Sequence, residues 1–128
     1  MSRRKAPVLL VVADDDPDSA ETLAELLRIL APSPVQVLVA FDGQAALQAV
    51  TGCTPPPDAV IMDIEMPRMD GVNAALEIRS LLGSAAPTLI AVTAYVGMPK
   101  MANVRRAFDH ALMKPLKVDE LLRLLQAL

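Results

Sequence analysis

Short apolar runs without alternating polar positions recur along this chain, and each is followed by a longer amphipathic segment. Val8-Leu9-Leu10-Val11-Val12 comes first, then Val35 to Ala40, Ala59-Val60-Ile61-Met62, Thr88 to Val92 and Ala111-Leu112-Met113. A strand with one wet face alternates apolar and polar residues, whereas an unbroken apolar strand is covered on both faces. The covers are the intervening segments, whose apolar residues fall at helical spacing. Ala20, Leu23, Ala24, Leu27 and Leu30 form the first such stripe, and Ala46, Leu47 and Val50 the second. Ala75, Ile78 and Leu82 form the third, Pro99 to Phe108 a weaker fourth, and Val118, Leu121, Leu122, Leu125 and Leu128 the last.

Strands alternating with helices imply a parallel sheet with helices on both faces, and right-handed crossovers make it doubly wound. The expected fold is therefore α/β: a flavodoxin-like, doubly wound, five-stranded parallel sheet of order 2-1-3-4-5 with five helices. Residues 1–7 read as an N-terminal lead-in and 8–128 as a single domain. The chain of 128 residues suits one domain, and with 2% aromatics and no Trp its core must be aliphatic. Asp16-Pro17 reads as the start of the first helix, an Asp cap followed by a Pro suited to the first turn.

Composition excludes several classes. The net charge is −3, and no basic stripe suited to a phosphate backbone is present, so direct nucleic-acid binding is not expected. No stretch approaches the length of a membrane span, and the apolar run after Arg3-Arg4-Lys5 is too short for a secretion signal. A single cysteine, Cys53, excludes an internal disulfide and fits a reducing, cytoplasmic setting. Neither G-x-G-x-x-G nor G-x-x-x-x-G-K occurs, which argues against a dinucleotide or nucleoside triphosphate site.

In doubly wound sheets the ligand crevice lies at the carboxyl ends of the strands. There the first strand leads into Asp14-Asp15-Asp16, the third into Asp63-Ile64-Glu65, the fourth into Thr93 and the fifth into Lys114-Pro115. Three carboxylates packed together would repel unless protonated or neutralised. A hard divalent cation with oxygen ligands, Mg²⁺ above all, is the natural remedy, with Mn²⁺ as a substitute. With the charge neutralised, one carboxylate can attack phosphorus, while an ammonium and a hydroxyl hold the phosphoryl oxygens. Asp63 is the expected phosphoacceptor, because the third strand should be central. Thr93 and Lys114 are the expected phosphoryl contacts.

The segments Val11-Val12-Ala13-Asp14-Asp15-Asp16-Pro17, Met62-Asp63-Ile64-Glu65-Met66-Pro67-Arg68-Met69-Asp70-Gly71, Val92-Thr93-Ala94 and Lys114-Pro115 together resemble the receiver domains of bacterial two-component systems. The stretch Ala107 to Pro115 is most similar to receivers attached to hybrid histidine kinases. The resemblance implies a phosphorelay in which Asp63 takes a phosphoryl group from a histidine kinase or a histidine phosphotransfer protein. It further implies Mg²⁺ held by Asp15, Asp63 and the backbone carbonyl of Glu65 with Asp14 assisting, a cis Lys114–Pro115 peptide, and a Gly71 that opens the third helix where a side chain fits poorly. Such a domain is a signalling module with slow self-catalysed turnover and not a metabolic enzyme. Glu65 and Tyr95, each two places beyond a site residue, would tune the lifetime of the phosphoryl group.

The chain departs from the family at Ala107, where many members have Gly, and at Ala111, where a Tyr or Phe usually acts as a rotating switch. A methyl group cannot make that rotation, so the usual output coupling is in doubt. This keeps open an alternative, a phosphorylation-independent pseudo-receiver acting only as an interaction module. His110 is expected in a strand lead-in and not in the site. With the last helix ending at Leu128, output is expected through the surface of the fourth helix, fifth strand and fifth helix, where Arg105, Arg106 and Arg123 are candidate contacts. The partner there could be a kinase, a phosphotransfer protein, an effector or a second copy forming a homodimer. Met1 fits a stand-alone protein, although an excised hybrid-kinase domain would read the same.

Overall fold

A computed structural model describes residues 7–128 of the chain, so the expected lead-in falls outside the described residues except for Pro7. Strands β1 (Val8–Ala13), β2 (Val35–Ala40), β3 (Ala59–Asp63), β4 (Thr88–Thr93) and β5 (His110–Met113) alternate with helices α1 (Pro17–Leu30), α2 (Gly43–Thr51), α3 (Gly71–Leu82), α4 (Lys100–Ala107) and α5 (Val118–Gln126). All neighbouring strands pair in parallel, and the sheet order is β2-β1-β3-β4-β5. The expected architecture is the observed one. A short 3₁₀ turn over Gly83–Ala85 adds to the expected elements.

The two faces of the sheet carry separate aliphatic cores. Val11, Val60, Met62, Leu89 and Ala91 point toward α2, α3 and α4, where they meet Ala46, Val50, Ala75, Ile78 and Val104. Leu10, Val12, Ile61, Ile90 and Val92 point the other way, toward Ala20, Ala24 and Leu27 of α1 and Leu121 of α5. Successive side chains along a strand alternate in direction, so a run such as Val60-Ile61-Met62 feeds both cores. The inner strands β1, β3 and β4 obey the no-alternation reading. The outer strands do not: Gln36, Leu38, His110 and Met113 are exposed, because an edge strand lacks a neighbour on one side.

Helix starts follow local chemistry. The Asp16 side chain accepts from Asp18 N, Asp42 from Ala45 N and Asp70 from Asn73 N, each satisfying an otherwise orphaned donor. Helix α4 has no such side-chain cap; its N-cap is Pro99. At Gly71 a Cβ would stand 2.6 Å from the Asp63 carbonyl oxygen and 2.7 Å from Ile64 Cα, so only glycine lets α3 start this close to the end of β3. Gly43 is equally confined, against the Met69 backbone.

The amino edge of the sheet is fastened by two aspartates. Leu9 N donates to Asp58 Oδ2 at 2.8 Å, and Leu89 N donates to Asp109 Oδ2 at 2.8 Å. In return Asp58 N and Asp109 N donate to the Leu9 and Leu89 carbonyls. Strand N–H groups that no neighbouring strand reaches thus find acceptors.

Candidate functional site

Asp63 and Thr93 are the last residues of β3 and β4, not the first of the loops beyond, because ladder pairing continues to the strand ends. Both are buried, whereas Asp14 is half-buried and Asp15 exposed on the loop between β1 and α1. One carboxylate oxygen from each of Asp14, Asp15 and Asp63 lies within 4.8 Å of the others. Lys114 Nζ donates to Asp63 Oδ2 at 2.9 Å, and Glu65 N donates to Asp63 Oδ1 at 3.1 Å. Both Asp63 oxygens therefore have a donor while the carboxylate keeps an open side toward the acids.

Asp14 is braced by Asp16 N, which donates to its Oδ1 at 3.0 Å. Its carboxyl group is nonetheless raised above the ordinary aspartate value, first by burial and then by the negative charge of Asp63 and Asp15; the Asp16 bond and Lys114 oppose the rise. For Lys114, burial alone would pull the ammonium down. The hydrogen bond to Asp63 and the charges of Asp63, Asp14 and Asp15 outweigh it, so the net effect is a rise. The site is short of positive charge, which suits hard oxygen donors facing a divalent cation.

The other expected residues lie around this centre. Lys114 N donates to the Thr93 carbonyl at 2.9 Å, which sets Thr93 beside Lys114, and the Thr93 hydroxyl donates to the Ala94 carbonyl at 2.6 Å. The Lys114–Pro115 peptide is cis, as are Thr54–Pro55 and Met98–Pro99. Tyr95, in the loop after β4, is 66% exposed. Ala111 pairs with Ala91 and packs, half-buried, on the core face shared by α3 and α4. His110 is exposed at the opposite end of β5 from Lys114. Arg105, Arg106 and Arg123 are exposed, with Arg123 paired to Asp119 on its own helix at 3.3 Å.

Several contributors escaped the sequence reading. Lys100, first residue of α4, has its Nζ 3.9 Å from Glu65 Oε2 at the mouth of the site. Asp42 caps α2 with one oxygen and takes Arg68 NH1 at 3.1 Å with the other, so the loop after β3 is tied to α2. Arg68 sits at φ 68, a left-handed conformation uncommon outside glycine. No local pattern announces a pairing between residues 26 positions apart. A carboxylate at a helix start facing an arginine within the Met66-Pro67-Arg68 loop was the nearest signal.

The profile of the response regulator receiver domain matches residues 10–126. The chain belongs to that family, and so to two-component signalling. The response regulator MprA of Mycolicibacterium vanbaalenii is 34% identical over 122 residues, covering 95% of this chain and 50% of that protein. An uncharacterised response regulatory protein of Vibrio cholerae, VC_A0850, is 39% identical over 111 residues, covering 87% of this chain and 41% of its own length. The chain thus spans about half the length, or less, of these curated relatives. Among solved structures, the response regulator TrrA of Thermotoga maritima in complex with Mg(2+)-BeF superposes with a TM-score of 0.78 at 29% identity, covering 93% of this chain and 96% of that one. The receiver domain of the Francisella response regulator 1452 gives 0.79 at 25% identity, covering 95% of each. Among the described residues no helix is long and apolar enough to cross a membrane.

Proposed function

We propose that this domain accepts a phosphoryl group on Asp63 from the phosphohistidine of a histidine kinase or phosphotransfer protein, and that the modified state changes how it binds a partner. One observation carries the reading: a buried, Lys114-bonded Asp63 carboxylate faces two further carboxylates at the carboxyl edge of the sheet. Mg²⁺ would be held by Asp15, Asp63 and the Glu65 carbonyl, with Asp14 assisting, and would supply the positive charge that phosphoryl transfer demands. Mn²⁺ offers the same oxygen-seeking chemistry.

In the transfer, an Asp63 oxygen bonds to phosphorus as the phosphorus–nitrogen bond of phosphohistidine breaks. The bonding pair stays on the imidazole nitrogen, which then takes a proton. Lys114, a point charge on a flexible stem, turns from the free carboxylate to the phosphoryl oxygens, and the Thr93 hydroxyl turns from Ala94 to donate to another. In the reverse of activation, water adds to phosphorus, the acyl–phosphate bond breaks, and carboxylate, inorganic phosphate and a proton result. Glu65 and Tyr95 border the water's approach and set its rate. Output passes through the face of α4, β5 and α5, where Arg105, Arg106 and Arg123 are exposed, to an effector or a second copy.

Labelling with acetyl phosphate in the presence of Mg²⁺ tests this. Wild type takes label and Asp63→Asn takes none; label retained by the Asn variant would overturn the assignment.

A further inference from the structure

Helix α4 is fastened unequally at its two ends. At the carboxyl end Arg79 Nε of α3 donates to the Ala107 carbonyl at 2.7 Å, while Arg79 NH2 pairs at 3.2 Å with the Asp109 that is itself bonded to Leu89 N. That end is part of the sheet's amino-edge fastening. The amino end starts from Pro99, which offers no side-chain cap, after a loop in which Tyr95 and Met98 are exposed and Gly97 has φ 78. Its first turn places Lys100 where the helix dipole disfavours a cation. What faces that cation is Glu65, two residues beyond Asp63.

The Lys100–Glu65 contact has the properties of a reporter and not of a brace. At 3.9 Å, with side chains 54% and 67% exposed, it is too weak to hold a helix. Lys100, Glu65 and Asp15 line one open cavity of about 430 Å³ beside the site. A phosphoryl group brings a charge of about −1.5 to −2 to that region, a stronger anion than one carboxylate. The ammonium, on a flexible stem, then redistributes between Glu65 and the new charge. Its backbone is the first turn of α4 and the far end is pinned, so a pull that reaches the helix falls on that turn.

We infer that Lys100 is a positioning residue that links the charge on Asp63 to the first turn of α4 through Glu65, a connection that does not pass through the methyl group of Ala111. The inference rests on the phosphoacceptor reading above. It assigns the signal an electrostatic route into α4.

The test follows amide hydrogen exchange at Met101 and Asn103, whose N–H groups donate to Gly97 O and Pro99 O in that first turn. Exchange is compared with and without Mg²⁺ and beryllofluoride in wild type, Lys100→Ala and Lys100→Arg, and a separate sample of each is labelled with acetyl phosphate. Label in all three, a several-fold change of exchange in wild type and Lys100→Arg, and none in Lys100→Ala would bear the inference out. An undiminished change in Lys100→Ala overturns it, as does no change in wild type or loss of the change in Lys100→Arg. Loss of labelling in Lys100→Ala alone would make Lys100 part of the transfer and also overturn it. Absence of label in wild type is a separate result: it removes the phosphoacceptor reading, and this inference with it.

Discussion

At the amino edge of the sheet, Asp58 and Asp109 turn their carboxylates onto the N–H groups of Leu9 and Leu89, each at 2.8 Å. At the carboxyl edge, Asp14, Asp15 and Asp63 bring their oxygens within 4.8 Å of one another, with Lys114 on Asp63. The first pair consumes its charge in fixed backbone bonds that close the ladder. The second set leaves negative charge concentrated and open to a cation or a phosphoryl group. Aspartates at the beginnings of strands brace this fold; those at the ends crowd like charges, which raises the Asp14 carboxyl at some cost to stability. The difference teaches that one kind of residue serves two ends here: on one rim its charge meets strand N–H groups, on the other it gathers where Lys114 offsets it only in part.

The sharpest way to break that comparison is Asp63→Asn. Labelling by acetyl phosphate should vanish, whereas the urea midpoint should move by no more than about 1 kcal/mol equivalent, since Lys114 is 44% exposed and can be rehydrated. A large loss of stability would show that Asp63 belongs with the bracing aspartates instead.

The opposite rim gives the next largest effect, with the two readouts exchanged. Asp109→Ala leaves Leu89 N without its side-chain acceptor and takes the carboxylate from Arg79 NH2, and should cost about 1–3 kcal/mol in urea denaturation. Initial labelling of Asp63 should remain at the wild-type rate. Asp109→Asn keeps an acceptor oxygen and should recover much of the loss. If Asp109→Ala instead slows labelling at unchanged stability, the two rims are not separate in the way described.

The sequence made these rims unequally legible. Asp63, Thr93 and Lys114 stand out because an apolar strand ends in a polar residue, and a parallel sheet brings such ends to one edge. The layered parallel sheet was legible for a related reason, since unbroken apolar runs are covered on both faces by helices, and right-handed crossovers then made it doubly wound. Asp58 and Asp109 went unmarked: an acid just before an apolar run looks like any loop residue until the register shows which N–H group it faces. Lys100 was hidden similarly, as its meaning depends on how the loop after β4 delivers α4 to Glu65. Pairings across 49 or 20 positions, such as those of Leu9 and Leu89, are set by tertiary register and leave no local trace.

Titration sharpens the contrast more gently. The raised Asp14 carboxyl means that the folded chain holds this proton more tightly than the unfolded chain. Its ionisation therefore costs stability: the penalty is absent below the unfolded value of about 3.9 and sets in as pH rises through the folded one. Lys114, also raised, contributes stability that is full below the unfolded lysine value of about 10.4 and lost only as pH rises through the higher folded one. A proton on Asp14 competes with a cation, so Mg²⁺ affinity measured by calorimetry should begin to fall at a pH above the ordinary aspartate range. The decline should be at most about tenfold per pH unit for one displaced proton. Affinity that stays constant down to that range would exclude Asp14 from the cation's surroundings.

The smallest effect concerns what covers the open rim. Tyr95 follows Thr93 by two places, and at 66% exposure it can screen a phosphoryl group on Asp63 only in part. Excluding water protects a hydrolysable intermediate, so Tyr95→Ala should speed phosphoryl loss. The gain should stay below about tenfold, since partial screening is worth less than about 1.4 kcal/mol of barrier. Following release of inorganic phosphate from the labelled protein checks this. An unchanged or slower rate would mean that Tyr95 offers no shelter.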